Sequence, residues 1–385
     1  MKAQRSRCRW LVAVMGVAAL AAAACSSSSS QSTSSTDSGK APSAELSAAH
    51  AAVVAGMKAP TTITQTQPLP HTPPRGKLVV CTADDNIPSD YTICTEGVEV
   101  AAKAIGWNYA SDYFDPSNPA SVDAALNSAL AKHPAAVINV GGQLESQYDQ
   151  TTLSKFASAG IPIVATNVAS LTPTKTLIGP VNSAADSVSG GTLLANWVID
   201  NSHGQGKVLI VDVPAYSELN QVDLTMTSVL TKDCPGCSVK TLDLTLPEVA
   251  AGQIISSTVS ELKANPQYHY VFFVTSSFGD GITSALKAAG LNDVMVGGQD
   301  MDPEGAAALQ AGTEAVQTGG PAIPYLGFMS MDLALRHYET GATSSAGDYT
   351  APIQLMTSAN IGHISIWDSP ATALQQFEKL WKVTG

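Results

Sequence analysis

The sequence predicts an α/β chain built as two doubly wound parallel-sheet lobes, and three observations carry that prediction. Short apolar runs rich in β-branched and aromatic residues alternate with segments of helical apolar periodicity along most of the chain. One unit shows the pattern in full: the run that opens at Tyr268 reads as a buried strand, residues 279–289 as a helix capped by Ser276 or Ser277 and stopped by Gly290, and residues 294–298 as a second strand. A crossover of this kind makes a parallel sheet covered on both faces. Finally, the alternation comes in two runs of about 100 residues or more, which fits two similar lobes better than one large sheet. A chain of 385 residues has room for both.

In the first run, Leu78 to Cys81 reads as a strand and residues 91–105 as a helix with Ile93, Gly97, Val100, Ala101 and Ala104 on one face. Residues 107–113 form the second strand. The clearest helix is 121–132, where Val122, Ala125, Leu126, Ala129 and Leu130 recur at i, i+3, i+4, i+7 and i+8. Strands at 136–140 and 161–165 flank a helix at 148–159 that Gly160 ends, and residues 176–178 lead out of the lobe. The second run places helices at 183–200, 219–231 and 251–264 between strands at 207–213 and 239–244. The opening unit follows, then a helix at 303–311, a strand at 314–318 and helices at 325–338 and 371–382. Ligands in such sheets sit at the carboxyl ends of the strands. Thr275, Gln299 and Asp300 stand at such ends.

Hydrophobic residues make up 44% of the chain and charged ones only 14%, so large cores are available. Lys and Arg number 20 against 32 Asp and Glu; four of the basic residues fall in the first 24, leaving 16 against 32. A chain that acidic is a poor partner for nucleic acid, whose phosphates need neutralising. Arg75 and Arg336 are the only arginines after the leader.

Residues 1–24 read as a secretion signal: Lys2 to Arg9 are basic, and the apolar run at 10–24 is too short for a stable membrane span. The run closes on four alanines and Cys25, followed by five serines. This resembles a bacterial lipoprotein signal, in which Cys25 takes the lipid and becomes the first residue. Leu20 lies five before the cysteine where the strict pattern has such a residue three before, and plain secretion with cleavage at an Ala-x-Ala site is the alternative. Residues 25–76 are expected to be a Ser/Thr tether, a weakly helical piece at 44–57 and a Pro-rich stretch at 60–74 lying over the first lobe.

The ordered series of Gly97-Val-Glu-Val-Ala-Ala-Lys-Ala-Ile-Gly106-Trp, Ala136-Val-Ile-Asn139, Gly160-Ile-Pro-Ile-Val164, Tyr270-Val-Phe-Phe and Asp293-Val-Met-Val-Gly-Gly-Gln-Asp300 resembles the type I periplasmic binding proteins, within them the ribose/galactose-type receptors of ABC importers. The resemblance runs from about Lys77 to Ile361. The family's repressor members carry a helix-turn-helix in front, where this chain has a secretion signal. It implies two lobes joined by a hinge of three crossings, near 179–182, 319–321 and 351–357. The lobes are then 77–180 with 321–350, and 181–320 with 351–385. They are expected to close on a ligand.

The resemblance places an aromatic residue after the first strand, where Asp90 and Tyr91 stand; Tyr91 is either a sugar-stacking ring or a packing residue at the helix start. Asp84, Asp85 and Asn86 share that turn, as hydroxyl acceptors or as helix-dipole partners. Asn167 stands where the family has Asp, Asn220 near its second-lobe Arg, and Thr275 on its Asn. Asp300 alone matches outright. Tyr216 and Phe278 add apolar surface. Without Arg at a strand end, an anionic ligand would depend on helix N-termini alone. A neutral sugar or polyol is the leading expectation, and a cationic, partly apolar molecule is compatible.

Cys81 ends the first strand and Cys94 opens the helix after it, so a bridge would pin the loop between them. Cys234-Pro-Gly-Cys237 lies in the turn before a strand, the reverse of the redox order, which favours a structural disulfide. No Gly-x-Ser-x-Gly, His-Glu-x-x-His or phosphate-loop motif occurs, and neither metal nor cofactor is expected. The leading function is a lipid-anchored, monomeric solute receptor outside the cell that hands its ligand to an ABC permease. A sensing receptor with the same fold and a cell-envelope hydrolase remain as alternatives.

Overall fold

The computed structural model of the protein describes residues 43–85, 87–115, 118–320, 323–344 and 350–383. The leader, the lipid site at Cys25, the Ser/Thr tether, Asn86 and Pro321 at the second crossing lie outside the described residues.

The first lobe is a five-stranded parallel sheet of β1 (Leu78–Asp84), β2 (Asn108–Phe114), β3 (Ala136–Val140), β4 (Ile163–Thr166) and β5 (Leu177–Val181), in the order β2-β1-β3-β4-β5. The second holds β6 (Lys207–Asp212), β7 (Ser238–Asp243), β8 (Tyr270–Phe273), β9 (Met295–Gly298) and β10 (Val316–Thr318) in the matching order β7-β6-β8-β9-β10. A short antiparallel strand, β11 (Leu355–Met356), adds to the β10 edge. The central strands β1, β3, β4, β6 and β8 are buried along nearly their whole length, as continuous apolar runs sandwiched between helices must be. In each sheet the central pair, β1 with β3 and β6 with β8, is where the strand order reverses, so the loops beyond their carboxyl ends splay to opposite faces.

The helix expected at 91–105 starts earlier, at Pro88, and widens into a π-helical turn over Ile93–Val98 before Glu99–Ile105 completes it. Two constraints meet in that turn. Cys94 is bridged to Cys81, which lies in the middle of β1 and not at its end as expected, because the strand runs on to Asp84. Gly97 lies against Gly327 of the helix Ile323–Thr340; a Cβ at Gly97 would stand 2.7 Å from the Gly327 Cα and 2.8 Å from the Pro324 carbonyl. The second disulfide joins Cys234 to Cys237 between the helix Ser217–Asp233 and β7.

The chain's ends pack differently from the expected division. Residues 351–385 were expected wholly in the second lobe; β11 and the segment at Ile364, whose carbonyl accepts from Gln310 Nε2 at 2.8 Å, are there, but the last helix is not. The helix Ala373–Trp381 packs on the first lobe, with Phe377 5.4 Å from Tyr325 and 6.0 Å from Phe328 between ring centroids. Its buried residues Ala373, Phe377 and Trp381 recur every fourth position, one apolar stripe fitted to the aromatic surface of the helix Ile323–Thr340. Trp381 Nε1 donates to buried Asp332 Oδ1 at 2.8 Å, and Arg336 Nε donates to Asp332 Oδ2 at 2.7 Å. The N-terminal extension reaches both lobes. The helix Ala44–Gly56 inserts Ala49 and Val53 into the second lobe's core, while Leu69 is fully buried in the first, its N–H donating to Leu380 O at 2.7 Å.

Three passages join the two sheets, after β5, after β10 and before β11, and the chain returns to the first lobe once more between β11 and the helix Ala373–Trp381. The Ala351 N–H donates to Asp186 Oδ1 at 2.5 Å, the Gly319 N–H to Gln354 O at 2.7 Å and Trp367 Nε1 to Gln354 Oε1 at 2.9 Å. The three passages are therefore cross-linked to one another.

Candidate functional site

The carboxyl ends of the strands of both lobes converge on one enclosed cavity of about 30 Å³. From the first lobe come Asp90, in the first turn of the helix after β1, Asn167 after β4 and Asn182 after β5. From the second come Glu218 at the start of the helix Ser217–Asp233, Thr275 and Phe278 after β8, and Asp300 after β9. Ser89, Thr275, Asp300 and Ile323 also line a wider mouth of about 410 Å³, whose wall adds Glu96, Asp280, Asp302 and Glu304.

Asn167 Nδ2 donates to Asp90 Oδ1 at 2.7 Å, and Asn182 Nδ2 donates to Asn167 Oδ1 at 2.7 Å. That chain of amides fixes the orientation of the Asp90 carboxyl. Three cavity residues hold left-handed backbone, Asn167 at φ 62°, Asn182 at φ 52° and Asp300 at φ 57°. Asn and Asp tolerate this region better than other side chains, and such backbone collects where the surrounding structure must aim a group. Glu218 reaches across to the first lobe, its Oε2 3.2 Å from where a Gly142 Cβ would stand. Gly142 at φ +72° leaves that space open.

The electrostatics are one-sided. Burial pushes the Asp90 carboxyl well above the usual range, the charges of Asp84 and Glu218 add to the rise, and the Asn167 hydrogen bond opposes it. Burial raises Glu218 to about 8, against the hydrogen bonds of its helix start, with Asp212 and Asp84 adding to the rise. Asp300 is likewise raised well above its ordinary value, first by burial. In the mouth, burial and then Asp302 lift Asp280 to about 7.

Of the residues singled out in the sequence, Asp90, Asn167, Thr275, Phe278 and Asp300 line the cavity together. Asp84 is the buried last residue of β1 and acts on Asp90 and Glu218 by its charge. Tyr216 stands behind Phe278, ring centroids 6.3 Å apart, and Asn220 Nδ2 donates to Asp212 Oδ2 at 2.6 Å, which braces the end of β6. Asp85 faces solvent. Tyr91 does not line the cavity: it is 52% exposed and stacks on Tyr113 at 5.4 Å. Successive helix residues point about 100° apart, so the turn that sends Asp90 inward sends Tyr91 out.

Glu218 and Asn182 were missed by sequence reasoning. Glu218 follows Ser217 at a helix start, where an acidic residue reads as a dipole partner. Asn182 belongs to a crossing and gave no chemical signal. Two larger hollows gather no buried carboxylates: one of about 590 Å³ lies among the segments after β3 and β4, and one of about 550 Å³ lies between the helices Ile254–Ala264 and Ile282–Ala289.

Against known structures the chain matches folds of one kind. It is 14% identical to the 5-methylthioribose transporter solute-binding protein of Thermotoga lettingae in complex with 5-methylthioribose, with a TM-score of 0.65 over 83% of this chain and 100% of that one. An ABC transporter solute-binding protein of Agrobacterium vitis with bound allitol is 18% identical, with a TM-score of 0.61 over 74% and 97%. A LacI-type transcriptional regulator of Bacteroides fragilis is 16% identical at a TM-score of 0.58 over 75% and 100%, so the fold by itself does not set the role. No curated protein matches the chain. Residues 81–342 match the family described as the periplasmic binding protein domain, a range that holds every residue of the cavity and all of both sheets but the start of β1 and β11, and the chain belongs to that family.

Proposed function

We propose that the protein is an extracytoplasmic solute receptor that captures one small molecule between its lobes and releases it unchanged to an ABC permease. The observation that carries this reading is the convergence of buried polar groups from both lobes on one cavity at the strand ends. A site divided in this way is completed by closure and opened by separation, which is what uptake and release require. Asp90 and Asn167 on one side, with Glu218, Thr275 and Asp300 on the other, hold the ligand's polar groups, and Phe278 offers it an apolar face. A polyhydroxyl molecule of sugar or polyol type fits this set, in line with the allitol and 5-methylthioribose named for two similar structures. The lipid on Cys25 and the tether after it would hold the receptor at the membrane as a monomer.

The test is native mass spectrometry of the purified chain against a panel of sugars, polyols and their aminated analogues. One bound molecule per chain, recovered chemically unchanged, supports the receptor. A product differing from the added compound would favour the hydrolase reading. Blocking lipoprotein signal peptidase without changing the protein's mobility would remove the anchor.

A further inference from the structure

The chemistry of the cavity narrows the solute further, an inference that rests on the receptor reading above. Asp90 Oδ2, Glu218 Oε2 and Asp300 Oδ1 are buried oxygens without a hydrogen-bond partner in the protein, and all three residues line the one cavity. Asp90 and Glu218 are 1% and 5% exposed, so water does not serve them freely. Among the described residues, no Lys, Arg or His lines either the cavity or its mouth. The mouth instead adds four more carboxylates, Glu96, Asp280, Asp302 and Glu304. A metal ion does not fit: among the described residues, no three His, Cys, Asp or Glu side chains are grouped closely enough to hold one.

Such a wall asks for donors and for positive charge. Carboxylates withdrawn from water without a counter-charge are costly, and each unpartnered acceptor adds to that cost. A neutral polyol supplies donors, but each hydroxyl also brings lone pairs, and with no cation present burial keeps these carboxyls protonated instead of pairing them. An ammonium group has three donors and no acceptor, and it forms charge-assisted hydrogen bonds with carboxylates. The Phe278 ring on the same wall gives a cation a second favourable surface. We propose that the solute carries a protonated amine, gripped between Asp90 of the first lobe and Glu218 and Asp300 of the second. Closing the lobes thus completes an anionic cage, and the acidic mouth draws cations toward it.

The test uses the full chain and matched pairs differing by one amine: 1-amino-1-deoxy-D-glucitol with D-glucitol, D-glucosamine with D-glucose, and D-galactosamine with D-galactose. Putrescine serves as an amine without hydroxyls. Calorimetric titration is expected to show an aminated member binding one per chain, about tenfold or more tighter than its neutral partner, as loss of a buried charge pair implies. Glu218→Gln and Asp300→Asn, which keep the shape, should each weaken the amine by about tenfold more than they weaken its neutral partner. Melting curves confirm that both variants fold. If the neutral members bind as tightly as the aminated ones, or bind alone, the amine is refuted and the receptor stands. If no compound binds and none co-purifies, both readings fall.

Discussion

The Asn167 side chain donates to Asp90 Oδ1 at 2.7 Å, and this single hydrogen bond joins the loop after β4 to the helix after β1. Both residues wall the cavity between the lobes, and Asn182 holds Asn167 in turn. The Asp90 carboxyl is thus positioned by two amides at strand ends.

Asn167→Ala removes the partner of a buried carboxyl and is expected to destabilise the fold by about 1–3 kcal/mol. Part of that loss comes from placing Ala at φ 62°, and Asn167→Gly separates the two contributions. Urea unfolding at neutral pH measures both. A loss in Asn167→Gly close to that of Asn167→Ala assigns the effect to the Asp90 hydrogen bond.

Stability should fall as pH rises. Glu218 titrates near 8 in the folded protein against an ordinary 4.5, and Asp90 and Asp300 are shifted the same way. The folded chain therefore binds more protons than the unfolded one between those limits, so the unfolding free energy declines from about pH 4.5 to about pH 8. Asp186, raised to about 6, and Glu314, raised to about 7, both chiefly by burial, add to the decline. Glu218→Gln should flatten the slope by up to about 1.4 kcal/mol per pH unit. Denaturant melts across that range, on protein stripped of solute, check the sign: a rise in stability with pH contradicts the assignment.

The two disulfides should differ in weight. Cys81–Cys94 closes a separation of 13 residues and Cys234–Cys237 one of 3. In the chain-entropy picture these correspond to about 3 and about 2 kcal/mol. The first also fixes the helix that carries Asp90. Replacing Cys81 and Cys94 by Ala is expected to lower both the melting temperature and ligand affinity, whereas the second pair should affect the melting temperature alone.

Gly97→Ala or Gly327→Ala drives a methyl group into backbone on the other side of a helix crossing. Neither neighbour is the movable end of a side chain, so the loss should be about 3 kcal/mol or more. Pulse proteolysis gives the measurement, and a shift below about 1 kcal/mol would show that the crossing yields easily.

The alternation of strands and helices was legible because period and burial agree: β3 and the helix Pro303–Ala311 fall on the positions that the apolar pattern marks. Interruptions were not. The helix expected at 251–264 starts only at Ile254, and a separate short helix, Leu246–Ala250, precedes it with Gly252 left-handed between them. The one expected at 279–289 starts at Ile282, because Gly281 turns at φ 82°. A single glycine in a helical pattern gives too weak a local signal to predict such a break. In the site, the strand-end rule marked Thr275 and Asp300, which topology places, while Asp90 and Asn167 came from the family resemblance. The resemblance misplaced Tyr91, whose direction depends on helix rotation, and both passed over Glu218, whose partners lie in the other lobe. The helix Ala373–Trp381 was assigned to the wrong lobe because its apolar stripe does not say which surface receives it.

Native mass spectrometry of the gently purified chain tests the central claim most directly. The account predicts one small molecule held per chain, released intact on denaturation and lost in a Glu218→Gln, Asp300→Asn double variant that still melts cooperatively. A chain that holds nothing, and that no sugar, polyol or amine in the panel stabilises, would contradict it.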